Sequence, residues 1–460
     1  MSFTFILDIG KTNIKALVLD DAGDTCWSVQ RANAVADSGP YPHFDVEAIW
    51  QWLLQALGQA AARYRLDAIN ISTHGACAVL LDASGELALP VMDYECPLPE
   101  AVSPEYNRVR PPFAQSLSPA LPAGLNLGRQ LWWQRAYFPE AFARVRTLLC
   151  YPQYWVWRLC GVAVSERTSL GCHTDLWLPL ADTYSPLLQA LGLKDACPPQ
   201  VDACAAVGAV SCAVAQATGL PSSCQVFAGV HDSNASYARY LACAAQLGGP
   251  FSVVSTGTWF ITMSHGGDCQ HLNEACDTLA NVDVNGRPLA CARFMGGREF
   301  EAICERAGDE AARPLTQAAL QATLDSGAMA LPAFAAGGPF NGSSGCIKVP
   351  EGSTRHGAAL ATLYLALMID YELDLLGARG PIAFGSLSQR NPLLCGVLAA
   401  LRPDSPVLLA GDGASTARGA WCLTRWHRPL PNAMGRFTRA APLALSGLAD
   451  YRRQWRSCLM

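Results

Sequence analysis

The stretch Asp8-Ile9-Gly10-Lys11-Thr12-Asn13-Ile14-Lys15 decides how the rest of the chain is read. It joins two apolar runs of strand character, residues 3–9 and 14–20, through a short turn of small and polar residues. Such a turn can aim backbone N–H groups at an anion. A glycine at position 10 lets a phosphate approach the backbone closely. Thr12 and Asn13 add side-chain donors, and Lys11 or Lys15 adds charge. Asp8 ends its strand facing the same spot, where a carboxylate can hold Mg²⁺ directly or through water. The plain alternative is an ordinary hairpin with an exposed lysine.

Outward from this turn, a third strand is expected over residues 25–31. Asp45 then caps a helix whose apolar residues fall at Val46, Ile49, Trp50, Leu53, Leu54 and Leu57. Strands follow over 68–72 and 78–82, with Thr73-His74-Gly75 between them. Three strands, a helix and more strand mean mixed α/β with an antiparallel edge. Residues 97–125, rich in Pro, Ser and Ala, read as a loop or lid, and helices are expected over 128–137 and 152–159. A buried strand over 224–230 leads through Gly229-Val230-His231-Asp232-Ser233-Asn234 into a helix over 233–245. Ligands of α/β folds collect at the carboxyl ends of strands, so Asp232 can take a proton from an attacking hydroxyl or merely cap the helix. His74, Asp93 and Glu95 also follow strand ends. A lone histidine is more often structural, and the two carboxylates can bind sugar hydroxyls or merely face solvent.

Gly248-Gly249-Pro250 reads as a domain boundary, after which the opening pattern recurs. A strand over 251–255, the turn Thr256-Gly257 and a strand over 258–264 repeat the hairpin. Ser255-Thr256-Gly257-Thr258 offers the second half the same donors. A long helix over 357–376, strands over 381–384 and 407–409, and a helix over 414–426 are expected later. The tail from His427 holds six arginines against Asp450 alone.

The length of 460 residues suits two large domains. With 51% hydrophobic and 15% charged residues, the chain is expected to be globular rather than disordered. The net charge of −5 gives no general reason to bind nucleic acid or an anionic membrane. No run approaches the roughly 18 apolar residues of a membrane helix. The first apolar run is too short for a signal peptide. The 19 cysteines form no C-x-x-C pair and no zinc spacing. They are expected as reduced thiols in a cytoplasmic protein.

Taken in order, these residues resemble the FGGY carbohydrate kinases, in particular the rhamnulokinase and fuculokinase branches, within the sugar kinase, Hsp70 and actin superfamily. The family's D-x-G-x-T-x-x-K phosphate segment is similar to residues 8–15. Its sugar-meeting segment is similar to Ile69–Gly75, its catalytic-base motif to Gly229-Val230-His231-Asp232, and its second phosphate segment to residues 255–259. The resemblance implies two ribonuclease-H-like (actin-like ATPase) α/β domains with a ligand cleft between them. The expected boundaries are 1–247 for a sugar-binding, catalytic domain and 248–426 for a nucleotide-binding one, with 427–460 a basic tail without an assigned role. It implies ATP and Mg²⁺ as cofactors and Asp232 as catalytic base. Gly10, Lys11, Thr12, Asn13, Lys15, Ser255, Thr256, Gly257, Thr258, Gly296, Gly297, Gly385 and Ser386 are expected at the nucleotide. His74, Asp93, His231 and Asp232 are expected at the sugar, and Asp8 with Asp232 at the metal. The expected partner is a small sugar, a ketose, with no nucleic acid or membrane; a homodimer is left open. Two stretches depart from the family pattern. Residues 384–391 hold one glycine where the adenosine segment usually has three. Met92-Asp93-Tyr94-Glu95 replaces the usual W-x-D-x-R. A non-catalytic sugar or nucleotide sensor on the same fold is the rival, followed by an ATPase of the Hsp70 kind.

Overall fold

The computed structural model describes residues 2–99, 102–308, 315–350, 356–385, 391–410, 415–429, 431 and 435–459. The chain divides into two compact units. The first holds residues 1–243, 280–288 and 414–435, and the second holds 244–279, 289–413 and 436–460.

The first unit is built on a seven-stranded sheet among the described residues. Phe3–Ile9, Asn13–Leu19 and Thr25–Ala32 form the expected antiparallel meander. Leu66–Thr73 runs parallel to Phe3–Ile9, and Gln225–Phe227 and Val230–His231 run parallel to Leu66–Thr73. Crossover helices make this possible. Val46–Ala61 is capped by Asp45, whose carboxylate accepts the Ala48 N–H at 2.9 Å, and it buries Ile49, Trp50, Leu53 and Leu57 on the sheet. Tyr151–Cys160, with Trp155 wholly buried, follows the same logic. The registers align Ile9 with Thr73 and Thr73 with His231. Three parallel strands therefore end at one level, and Gly10, His74 and Asp232 are the next residues of each. The expected strand over 224–230 is broken in two, because Gly229 adopts φ +75° and a Cβ there would press on Pro152.

The second unit repeats the plan. Phe251–Ser255 pairs antiparallel with Phe260–His265 and parallel with Ile382–Phe384, which runs parallel to Val407–Ala410. Its core surrounds Gly357–Leu375, a helix buried on nearly every face. Such all-round burial is what an almost uninterrupted apolar sequence dictates.

Three expectations need correction. Residues 97–125 are not simply a loop: Ser103–Val109 and Phe113–Ser116 are short helices. The helix expected over 414–426 is Ser415–Leu423, and it belongs to the first unit. It lies so close to Asp232–Ala242 that a side chain on Gly419 would fall inside the Ala235 carbonyl, and its Ala420 carbonyl takes the Asn70 amide at 2.8 Å. The tail beyond 435 is part of the second unit, with Phe437–Arg439 pairing as an edge strand and Leu448–Ser457 as a helix.

Candidate active site

Asp232 opens the helix Asp232–Ala242, whose N-cap position is His231. One carboxylate oxygen accepts the Ser233 N–H at 2.6 Å and the Ser233 hydroxyl at 3.3 Å. Burial raises the Asp232 pKa above the usual carboxylate value, although His74 and the Ser233 bonds favour the charged form. Asp8, at the end of the first strand, is pushed up to about 7 by burial and then by the Asp232 charge, with Lys15 opposing. Lys15 is the cross-strand partner of Asp8.

His231 is driven down to about 4 by burial, so its ring is neutral near pH 7. The Asn234 amide lies 3.4 Å from Nδ1, which makes Nδ1 the acceptor and Nε2 the N–H. Nε2 stands 3.2 Å from the Asp232 carboxylate and 3.4 Å from Cys172 Sγ. The ring thus steadies Asp232. A chain of groups absent from the sequence reading supports it from behind. The His231 N–H donates to Thr168 Oγ1 at 3.2 Å. That hydroxyl donates to buried Glu166 at 2.5 Å, and Glu166 also accepts the Thr168 and Ser169 N–H groups. Glu166-Arg167-Thr168-Ser169 carries the signal of an N-cap, but nothing in the sequence links it to His231.

The first turn closes on itself. The Gly10 N–H donates to Asn13 O and the Asn33 amide to Gly10 O, both at 2.9 Å. Gly10 therefore offers an absent side chain rather than its own N–H: a Cβ would lie 3.1 Å from Asn13 O. Thr12, Asn13 and Lys15 are exposed. Lys11 stands apart from the other residues expected at the phosphates. Its ammonium pairs with Asp93 and lies 3.3 Å from Glu95 Oε2.

His74 is buried. Its Nδ1 meets Gly75 O at 3.0 Å, and its Nε2 has no hydrogen-bond partner among the described residues. Phe44, Tyr94 and Tyr151 surround it with ring centroids 5.1, 5.3 and 5.2 Å away. Three scattered aromatics of this kind have no common spacing, so sequence reasoning had no means to group them.

In the second unit, Ser255–Thr258 lies against the N-terminus of Gly296–Ala307. The Gly297 N–H donates to Thr258 O at 3.2 Å, and a side chain on Gly297 would collide with the Gly257 carbonyl. Thr256 Oγ1 is buried with no partner among the described residues. Gly385 follows the neighbouring strand and directs its N–H toward Val254 O at 3.5 Å. Ser386 lies outside the described residues.

Among the described residues, no group of three or more His, Cys, Asp or Glu is placed to hold a metal by itself. Asp8 and Asp232 nonetheless fit Mg²⁺. That ion takes one or two carboxylates and completes its shell with waters and phosphate oxygens, and a cation would offset both the burial and, after it, the Asp232 repulsion that raise Asp8.

Comparison with known proteins places this geometry in a family. The model of the FGGY family of carbohydrate kinases, N-terminal domain, matches residues 3–238, and that of the carbohydrate kinase FGGY, C-terminal domain, matches 248–432. An L-fuculokinase of Salmonella typhi is 29% identical over 270 residues, 57% of this chain and 56% of that protein. An L-fuculokinase of Escherichia coli (strain K12) is 26% identical over 56% of this chain and 55% of its own length, so the chain spans about half the length of the curated relatives it matches. The crystal structure of a carbohydrate kinase from Novosphingobium aromaticivorans is 38% identical, covers 99% of this chain and 100% of that one, and has a TM-score of 0.90. A ligand-bound xylulose kinase from Lactobacillus acidophilus, 14% identical with a TM-score of 0.79 over 99% of this chain and 96% of that one, shares the fold. No helix among the described residues is long and apolar enough to cross a membrane.

Proposed function

Because the chain belongs to the FGGY family of carbohydrate kinases, we propose that it transfers the γ-phosphoryl group of ATP to a hydroxyl of a small ketose in the cytoplasm. The observation that carries this reading is Asp232. It is a carboxylate of raised pKa at the end of three aligned parallel strands, held by Ser233 and by the neutral His231. In that place it accepts the proton of the attacking hydroxyl, a task for which a pKa nearer neutrality is an advantage. Gly10, Thr12 and Asn13, with Ser255–Thr258, are assigned to phosphate contacts, and the unpartnered Thr256 hydroxyl supports the second assignment. Gly296, Gly297 and Gly385 are assigned to the nucleotide side. Asp8 and Asp232 would hold Mg²⁺, which when bound neutralises charge on the transferring phosphoryl oxygens.

The test is ADP release measured over a panel of ketoses, aldoses and polyols. Sugar-dependent release supports the kinase. Binding of sugar and ATP without release would leave the sensor reading, and hydrolysis indifferent to sugar would favour the Hsp70-like ATPase.

A further inference from the structure

We propose that Lys11 serves the sugar rather than the nucleotide, and that with Asp93 and Glu95 it selects a neutral polyhydroxylated substrate over a sugar acid. The proposal rests on the kinase reading and specifies its acceptor.

Lys11 sits in the phosphate turn by sequence, yet its side chain leaves it. The ammonium pairs with Asp93 and Glu95 and lies over the rings of Phe44 and Tyr94, 5.3 and 4.9 Å from their centroids. Those two rings also flank His74. One aromatic cage therefore contains a cation, a buried carboxylate and a buried imidazole. Asp93 is fixed at both ends: its N–H donates to Pro42 O at 2.9 Å, and its carboxylate accepts the Glu95 N–H at 3.2 Å. A buried carboxylate calls for an oppositely charged partner, and Lys11 supplies it.

The second observation is the buried Nε2 of His74, which has no partner among the described residues. Buried polar atoms are nearly always hydrogen-bonded, so this atom points to a ligand. A hydroxyl serves every group here, since it donates to a carboxylate and accepts from an ammonium. Lys11 has three N–H donors, and the two carboxylates leave one for an incoming oxygen. The charges of Lys11, Asp93 and Glu95 sum to −1, and Asp8 and Asp232 add no positive charge. A carboxylate on the sugar would enter against that balance, whereas a row of hydroxyls would not.

The test compares the wild type with Lys11→Met. The variant should raise the KM for a neutral ketose about tenfold or more. Its calorimetric affinity for a magnesium-loaded non-hydrolysable ATP analogue should stay within about twofold of the wild type. With the wild type, L-fuculose, L-rhamnulose and D-xylulose as a set should exceed D-gluconate in kcat/KM. Glu95→Gln, at an exposed position, should narrow that gap by removing one negative charge. Loss of nucleotide affinity in Lys11→Met with the sugar KM unchanged would overturn the proposal, as would preference for D-gluconate. The nucleotide measurement needs no turnover. Calorimetry of ketose binding to the wild type and to Lys11→Met also needs no turnover and should show the same loss of about tenfold, so the side that Lys11 serves is decided even if the kinase reading fails on the wider panel; unchanged ketose affinity would overturn the proposal.

Discussion

Asp232 can be tested without disturbing its fold. Asn keeps the size and much of the capping ability toward the Ser233 N–H, but it cannot take a proton. Loss of a general base typically costs about 10²–10⁴-fold in rate, so Asp232→Asn should lower turnover by that order while sugar binding and melting temperature stay near normal. Near-normal turnover with a much lower melting temperature would make Asp232 only a helix cap. Glu166 offers a test through pH. Burial pushes its pKa up to about 7, even though Thr168 and Ser169 bonds favour the charged form. The folded carboxyl thus holds its proton more tightly than the unfolded one. Its contribution to stability is fully present below the unfolded pKa and is lost as pH rises through about 7. The shift corresponds to roughly 3 kcal/mol at most. Glu166→Gln should therefore gain stability relative to the wild type between pH 5 and pH 8, measured by thermal melts. Parallel melting curves across that range would show that Glu166 ionises in the fold as it does in water.

At the scale of elements, the two hairpin turns were legible because their information is local: a strand, a small-polar turn and a strand. The strand Phe251–Ser255 and the long helix Gly357–Leu375 follow the sequence pattern to within a residue. What the pattern could not give is contact made across the chain. Gly296 and Gly297 were placed at the nucleotide by resemblance. Their packing constraint arises because Phe260 and the Gly257 carbonyl occupy the space that side chains would need. Lys11 was read with its turn, because sequence shows where a side chain starts and not where a buried carboxylate draws it. The helices inside 97–125 were hidden by prolines, one of which, Pro104, sits where a first helical turn tolerates it. We expect Gly297→Ala to push Ser255–Thr258 off the helix N-terminus. Overpacking of this kind costs about 1–3 kcal/mol, so the melting temperature should fall modestly. The ATP requirement should rise more than the sugar KM, because only the turn proposed to contact phosphate is displaced. Steady-state kinetics with each substrate varied in turn would check it; a rise confined to the sugar KM would sink the assignment of this turn.

At the scale of the whole molecule, the chain passes between its two units at 243/244, 279/280, 288/289, 413/414 and 435/436. A cut at 426, where the sequence suggested an end, therefore respects neither unit. The last segment has a specific task. Asp370, wholly buried on the long helix, accepts Arg402 Nε at 2.9 Å, Arg452 Nε at 2.7 Å and an Arg456 nitrogen at 2.6 Å, while Asp374 one turn on accepts Arg456 at 2.6 Å. Two of the six arginines that made the tail conspicuous, Arg452 and Arg456, are thus partners for a charge that could not otherwise be buried. Beside them, Trp455 Nε1 donates to Ala330 O at 2.8 Å and the Tyr451 hydroxyl to Ala328 O at 2.7 Å, with both rings buried. Removing residues 436–460 would strip the edge strand, two buried aromatics and two of the three arginines on Asp370. A buried aromatic alone is worth about 3–5 kcal/mol, and a buried charge stripped of partners costs a similar amount. The sum is comparable to the whole stability of a typical domain, about 5–15 kcal/mol. The second unit should therefore fail to fold in the truncated chain, seen as loss of its cooperative melt and of nucleotide binding. Asp370→Asn should act in the same direction but less, lowering the melting temperature by on the order of 10 °C, since each 1 kcal/mol shifts a domain of this size by about 2–4 °C. A truncated chain that melts and binds nucleotide like the full one would mean that the arginine cluster is surface decoration and that Asp370 finds its compensation elsewhere.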